Sequence, residues 1–462
     1  MAMLGKRRPP RQRSGVSGLQ GRREAPRPHG GPGQAVTIER LAHDGRGVAR
    51  AASGKALFVE GALPGERVEV AVHRTRQRFD EAHVRTLLEA SPQRVEPPCP
   101  HYAQCGGCDL QHMTLDAQRT HKQAVLGELL AREGLALPAA PALLAEPGTA
   151  YRRRARLGVK VDAEGGVHLG FRARHASRLV DLDTCTVLVP ALATLLAPLR
   201  TLLAELEAPR LVGHLELVAG DDTAAVVVRQ LRENVADRRR WQEFAAAQGV
   251  AVGRWLGRES PAFAWLTAAP SLAYRLPGAG GGLRLGFAPG DFLQVNEAVN
   301  RRLVATLCHW LAPLPGSMVL DLYAGVGNFS LPLAADGAEV SAVEGSPAMV
   351  ERLAENARAN GLVIAASQAD LTDQAAVAAR LEALRPQAVV LDPPRDGADA
   401  ACRALVAHPV PRIAYVACDP ATLARDAARL VHGGYRISRA AVADLFVHTS
   451  HLESMLLFEH CE

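Results

Sequence analysis

The chain has 462 residues, 48% apolar and 22% charged, and no apolar run long enough to cross a bilayer as a helix. At roughly 150 residues per domain, about three domains are expected, in a monomeric cytoplasmic protein with no membrane partner. Only 4% of the residues are aromatic, so contact with nucleic acid cannot lean on many stacking rings.

The net charge of +5 is unevenly placed. Residues 1–33 hold Lys6, Arg7, Arg8, Arg11, Arg13, Arg22, Arg23 and Arg27 against the single acid Glu24, which leaves the rest of the chain at −2. This Pro/Gly/Arg-rich segment lacks the apolar core of a secretory signal and reads as a disordered basic tail attracted to polyanions. With no such signal, the eight cysteines belong in a reducing compartment, which argues against a disulfide framework and towards metal.

Residues 34–92 alternate in short segments divided by turns: Val36-Thr37-Ile38, Lys55 to Glu60, Arg67 to Val72 and Glu81 to Val84. That spacing predicts a small β-barrel, with Arg74, Arg76 and Arg78 on one rim suited to phosphate. Asp44-Gly45-Arg46-Gly47-Val48-Ala49, with Phe58-Val59-Glu60 and Leu63-Pro64-Gly65-Glu66, resembles a TRAM domain, an RNA-binding OB-like barrel.

A proline-bearing linker leads to Cys99, Cys105 and Cys108, spaced C-x5-C-x2-C, with Gly106-Gly107 as a loop able to wrap a metal group. The next cysteine is Cys185. Three clustered thiolates and one remote thiolate suit a [4Fe-4S] cluster. Structural zinc is the rival, although it commonly pairs two C-x2-C knuckles and only one is present. Residues 93–287 otherwise read as a central α+β domain with a basic face. It has a helix from Gln118 to Arg132, basic strands at Tyr151–Val161 and Leu169–Arg174, and a buried strand at Ala225–Val228.

From residue 288 to 462 strands and helices alternate. Met318–Leu322 is a buried strand, followed by the glycine turn Tyr323-Ala324-Gly325-Val326-Gly327-Asn328. Glu344 ends the next strand 23 residues after Asp321, near the ~20-residue interval of a ribose-binding acid. Ser330 stands where a nicotinamide fingerprint has its third glycine. Asp321 and Asp392-Pro393-Pro394-Arg395 point instead to S-adenosylmethionine. Cys418 follows the apolar strand Arg412–Ala417 and precedes a helix, whose positive N-terminus would lower the thiol pKa. Glu453 closes the domain as a candidate proton acceptor. Carbon 5 of uracil needs such a pair, because it becomes nucleophilic only after a thiolate adds to carbon 6.

Together these residues resemble the S-adenosylmethionine-dependent RNA uracil-C5 methyltransferases, over nearly the whole chain from about residue 34. The resemblance implies an α/β architecture: a Rossmann-like methyltransferase domain, an N-terminal OB-like TRAM barrel and a central α+β domain. It assigns Cys418 as nucleophile and Glu453 as base. Phe292-Leu293-Gln294-Val295-Asn296 matches a family motif whose glutamine, Gln294, contacts the cofactor; Tyr323, Asn328, Glu344, Asp370 and Asp392 fall on the other cofactor positions. Cys99, Cys105, Cys108 and Cys185 fall on the cluster ligands. Tyr323, where phenylalanine is common, and Ala417-Cys418-Asp419, where Ser-Cys-Asn is common, are departures that leave the chemistry intact. A TRAM barrel joined to a cysteine cluster is the pattern of family members that modify 23S rRNA, the implied partner. The alternatives are another rRNA or tRNA uracil, an amino-group methyltransferase that needs no cysteine, or a non-catalytic iron–sulfur RNA-binding sensor.

Overall fold

The computed structural model describes residues 34–278 and 282–461. The expected disordered tail, residues 1–33, lies outside the described residues. Two compact units form: one runs from the described N-terminus to Pro92 without residues 43–45, and the other contains those three residues and Gln93 onwards.

The first unit is a six-stranded sheet ordered β1-β5-β6-β4-β3-β2, from β1 (Gln34–Thr37), β2 (Arg40–Leu41), β3 (Gly47–Arg50), β4 (Ala56–Glu60), β5 (Arg67–Thr75) and β6 (Phe79–Glu89). Alternation drives it: Leu57 and Val59 of β4 and Val68 and Val70 of β5 point into one core with Val36, Ile38 and Ala82. At Gly47 a Cβ would sit 2.9 Å from the Ile38 side chain and 3.1 Å from the Ala62 carbonyl, so only glycine fits. The expected basic rim is partly neutralised, because Arg74 and Arg76 each lie 3.7 Å from Glu81.

The second unit begins with α1 (Leu115–Arg132) and β7 (Ala142–Leu144). A seven-stranded sheet follows, ordered β10-β9-β8-β11-β12-β13-β14. Its strands are β8 (Arg154–Val161), β9 (Val167–Arg172), β10 (Leu179–Asp181), β11 (Val212–Ala219), β12 (Ala224–Gln230), β13 (Ala251–Leu256) and β14 (Ala262–Trp265). Helices α2 (Pro190–Ala193), α3 (Leu196–Glu205) and α4 (Val235–Gln248) cover one face. There Leu199, Leu203, Trp241 and Phe244 meet Leu157, Leu215, Leu217, Val226 and Val228. The crossover α4 makes β12–β13 the parallel pair of this sheet. A short ribbon, β15 (Ala273–Leu276) and β16 (Leu283–Gly286), leads to α5 (Glu297–Leu311).

The remaining elements are β17 (Met318–Leu322), α6 (Ser330–Ala335), β18 (Glu339–Glu344), α7 (Pro347–Ala359), β19 (Ile364–Gln368), α8 (Gln374–Leu384), β20 (Ala388–Leu391), α9 (Asp399–Ala407), β21 (Arg412–Ala417), α10 (Pro420–His432), β22 (Tyr435–Ala443) and β23 (Glu453–His460). They build an eight-stranded sheet ordered β19-β18-β17-β20-β21-β23-β22-β7. The five strands β17 to β21 are parallel, and the central β20 and β21 are continuous buried apolar runs, as strands covered on both faces require.

One expected boundary moves. Residues 115–144, expected in the central domain, join the last sheet: β7 pairs in parallel with β22, and Val125, Leu126 and Leu130 of α1 enter the core beneath it. An apolar stripe on a helix does not say which sheet it will cover.

Candidate active site

Ligands of open α/β sheets bind at the carboxyl ends of strands where the strand order reverses. Here that point lies between β17 and β20. Asp392 follows β20, Cys418 follows β21, and Glu453 opens the antiparallel β23. Ala417 is in register with Ser454, so Cys418 and Glu453 face each other across adjacent strand ends. Glu453 is only 3% exposed.

The thiol of Cys418 is pushed up to about 11, first by burial and then by the charges of Glu453 and Asp392; Arg395 opposes this. The expected lowering by the α10 N-terminus does not prevail. Asp419 already caps that terminus, its carboxylate accepting the amides of Ala421 (3.0 Å) and Thr422 (3.1 Å). Glu453 is raised by burial and then by Asp392, and Asp392 by burial and then by Asp321. Like charges crowded together and desolvated hold their protons more tightly, so the resting site disfavours both the Cys418 thiolate and the ionised form of Glu453.

At the other side of the reversal point, Asp321 is fully buried and accepts a 2.5 Å hydrogen bond from the Ser330 hydroxyl. Its carboxyl is pushed up to about 7, chiefly by burial. Among the described residues its second oxygen has no hydrogen-bond partner, an acceptor that a bound cofactor could use. Tyr323 enters the glycine turn at φ +65°, a left-handed conformation that is strained for tyrosine. At Gly327 (φ +99°) a Cβ would lie 2.2 Å from Leu331. Glu344 spans the turn, one oxygen accepting the Gly325 amide (3.0 Å) and the other the Ser346 amide (2.9 Å). Each oxygen keeps a lone pair for a ribose hydroxyl.

Other expected cofactor residues are engaged differently. Asn328 makes reciprocal bonds with Asn300 (2.9 and 3.0 Å) and accepts the Tyr274 hydroxyl (3.1 Å), so it anchors the turn from behind. Asp370 lies past β19, exposed, with its carboxylate accepting the Thr372 amide and hydroxyl. Gln294 is buried in the segment before α5. Asn296, from the same motif, is the N-cap of α5 and accepts the Val299 amide. Asn296 and Asn328 each also hold their own segment in place through these bonds.

The four candidate cluster cysteines converge. Cys99, Cys105, Cys108 and Cys185 all line one cavity of about 180 Å³. At Gly106 a Cβ would meet the Arg172 carbonyl at 2.9 Å, so the loop needs glycine there, and the Gly107 amide points at the Cys105 sulfur (3.4 Å). Arg174 braces the loop from over the Tyr102 ring, donating to the carbonyls of Cys105 (3.1 Å) and Cys108 (2.5 Å). Among the described residues no three His, Cys, Asp or Glu side chains are gathered as for one metal ion.

Sequence reasoning missed the groups that hold the segment before Glu453. Asp444 is buried in an ion pair with Lys122 (2.7 Å) and Arg119 (3.0 Å) of α1, and Lys122 also reaches the Phe446 carbonyl (2.9 Å). His448 (φ +66°) exchanges bonds with Gln118 and accepts the amides of Asp109 and Leu110. Asp109 accepts the Ser450 amide and hydroxyl, both at 2.7 Å. The loop after Cys108 thus grips the residues leading to Glu453. No local pattern reveals pairings across more than 300 positions.

Residues 115–461 match the tRNA (Uracil-5-)-methyltransferase family, and residues 31–84 match the TRAM domain. The chain belongs to this uracil-5-methyltransferase family. It is 62% identical to the 23S rRNA (uracil(1939)-C(5))-methyltransferase RlmD of Halomonas elongata, across 100% of this chain and 97% of that relative. It is 57% identical to RlmD of Chromohalobacter salexigens, across 99% and 95%. A crystal structure of the Pyrococcus abyssi tRNA (uracil-54, C5)-methyltransferase with S-adenosyl-L-homocysteine shares the fold, with a TM-score of 0.73 at 23% identity, covering 92% of this chain and 99% of that one. The expected barrel, methyltransferase fold and enzyme class hold. No helix among the described residues is long and apolar enough to cross a membrane.

Proposed function

We propose that this enzyme methylates carbon 5 of one uracil in 23S rRNA, the position that its relatives' names number 1939. The observation that carries the reading is Cys418 facing Glu453 across the ends of β21 and β23, beside the reversal point of the sheet. S-adenosylmethionine supplies the methyl group. Gln294, Tyr323, Asn328, Glu344, Asp370 and Asp392 would hold it, with the open oxygen of Asp321 beneath the glycine turn.

The sulfur of Cys418 bonds to carbon 6 of the uracil, and its proton passes to a carboxylate or solvent. Carbon 5 gains electron density and takes the methyl group. Glu453 then removes the carbon-5 proton, the sulfur–carbon bond breaks, and the thiolate returns. Because the resting site disfavours the thiolate and the ionised Glu453, a bound cation would favour both reactive forms. The target base must leave its stack, which costs least in loops and single strands. Sequencing 23S rRNA from cells with and without the gene should show 5-methyluridine lost at one position. An unchanged modification map would contradict the reading.

Glu453→Gln separates the steps. Addition and methyl transfer should proceed while elimination stalls, so an enzyme–RNA adduct should accumulate on denaturing gels. An inactive variant with no adduct would make Glu453 a group acting before methyl transfer.

The convergence of four thiols on one cavity supports a [4Fe-4S] cluster held by Cys99, Cys105, Cys108 and Cys185. A cubane spreads its thiolates further apart than a single zinc ion does, which fits cysteines ranged around a cavity. Anaerobically purified enzyme should be brown, with about four irons per chain. Cys185→Ser should lose iron as fully as Cys105→Ser. Stoichiometric zinc without iron would overturn this assignment.

A further inference from the structure

The central sheet has one face covered by helices and one row of side chains that is not. Strand register identifies the row. His214 of β11 pairs with Arg229 of β12, Arg229 with Trp255 of β13, and Trp255 with Phe263 of β14. Residues directly opposed in a sheet point to the same face. Leu215, Val228 and Arg254, chain neighbours of His214, Arg229 and Trp255, are buried, whereas His214, Arg229, Trp255 and Phe263 are each partly open to solvent; on the edge strand β14 the neighbours of Phe263, Ala262 and Ala264, are exposed.

The aromatic end is built. Trp255 and Phe263 lie 4.9 Å apart between ring centroids, and Phe263 and Trp265 lie 5.2 Å apart. Gly253 makes room for them: a Cβ there would stand 2.8 Å from Phe263 and 3.1 Å from Trp265. Trp265 packs on the core with Val218 and Ala225, which leaves Trp255 and Phe263 as the open rings, in a chain with only 4% aromatics.

The other end is cationic without compensation. Arg156 of β8 lies 3.3 Å from the His214 ring, and Arg229 flanks His214 on the opposite side. Among the described residues neither arginine is ion-paired: Arg229 donates only to the carbonyls of Trp255 and Arg258, and Glu216 on this face is paired with Arg154. His214 is pushed down to about 4, by burial and then by Arg156 and Arg229, so it stays neutral between them. Like charges gathered where the nearest acid, Glu216, is already engaged by Arg154 are destabilising unless an anion binds.

We propose that this row is a docking strip for an unpaired stretch of the substrate RNA, with Arg156 and Arg229 on phosphates and Trp255 and Phe263 under bases. A duplex would offer phosphates but no base face to the rings, so the occupant is single-stranded. The strip also adjoins the active-site segment. Gly290 lies 3.9 Å from the Trp255 ring by its ideal Cβ, Arg154 donates to the Asp291 carbonyl, and Gln294 follows in the same segment. RNA leaving the catalytic site would thus have a surface on which to continue. The inference rests on the RNA-methylation reading above and extends it to where flanking nucleotides sit.

The test is equilibrium binding of the full enzyme to a 23S rRNA stem–loop carrying the target uracil, with a duplex of equal length as control. Trp255→Leu keeps an apolar side chain over the sheet but removes stacking. It should weaken stem–loop binding by about 5- to 150-fold and leave duplex binding unchanged. Arg156→Gln, at an exposed position, should reduce the salt slope of binding by about 0.7, and Arg156→Gln with Arg229→Gln by about 1.4. Turnover at saturating RNA should stay within about twofold of wild type. Wild-type affinity in Trp255→Leu with an unchanged slope in Arg156→Gln would overturn the strip, as would equal weakening of stem–loop and duplex. If instead the wild-type enzyme binds the stem–loop but never methylates it, the substrate reading fails and not the strip.

Discussion

Replacing Cys418 with Ala should abolish methyl transfer to RNA while leaving S-adenosylmethionine binding intact. The residue stands at the end of β21, away from the glycine turn and Glu344, so the cofactor's contacts survive. In the proposed mechanism carbon 5 of uracil becomes nucleophilic only through Cys418. The rate should therefore fall by roughly 10⁴-fold or more, about 5 kcal/mol of barrier. Methyl incorporation with radiolabelled cofactor reads the rate, and calorimetry reads cofactor binding. Residual turnover within about tenfold of wild type would remove Cys418 from the chemistry. The raised thiol pKa adds a pH signature. Alkylation of Cys418 in the free enzyme should be slow at pH 7 and accelerate towards about pH 11, because only the thiolate reacts.

The second large effect is on stability. Lys122 is 1% exposed and, with Arg119, neutralises the equally buried Asp444. Lys122→Met would leave a buried carboxylate short of a partner. Removing one member of such a pair costs about 3–5 kcal/mol, and the remaining Arg119 puts the expected loss near the lower end. The residues from Asp444 to Glu453 would also lose the lysine bond to the Phe446 carbonyl. Urea unfolding should show the loss, and turnover should fall in the surviving folded enzyme because Glu453 is less firmly held. A change below about 1 kcal/mol would mean that the pair contributes little beyond its own desolvation.

The sheet of the catalytic domain was readable because each buried strand is a short apolar run ending in a chemically distinctive residue: Leu322 before Tyr323, Leu391 before Asp392, Ala417 before Cys418. Strand ends set where those residues go, so candidate site residues scattered along the sequence could be gathered before their geometry was known. Two things were not local. The eighth strand, β7, joins by adding to the edge of β22, a pairing between positions about 300 residues apart that no short window records. The thiol pKa moved opposite to expectation because Glu453 and Asp392 come from other strands, while Asp419 spends its carboxylate on the helix terminus. Asn328 and Asp370 show the same limit. Their residue types were noted, but Asn300, Tyr274 and Thr372 decide what they bond.

Attack of Cys418 on a uracil can be caught with 5-fluorouracil RNA. Fluorine at carbon 5 cannot be removed as a proton is, so after sulfur addition and methyl transfer the sulfur–carbon bond has no way to break. A stem–loop substituted at the target uracil, incubated with enzyme and S-adenosylmethionine, should give an adduct that survives denaturation and maps to the peptide containing Cys418. Methylation of ordinary RNA with no adduct on the fluorinated one, or an adduct on a different residue, would contradict the account.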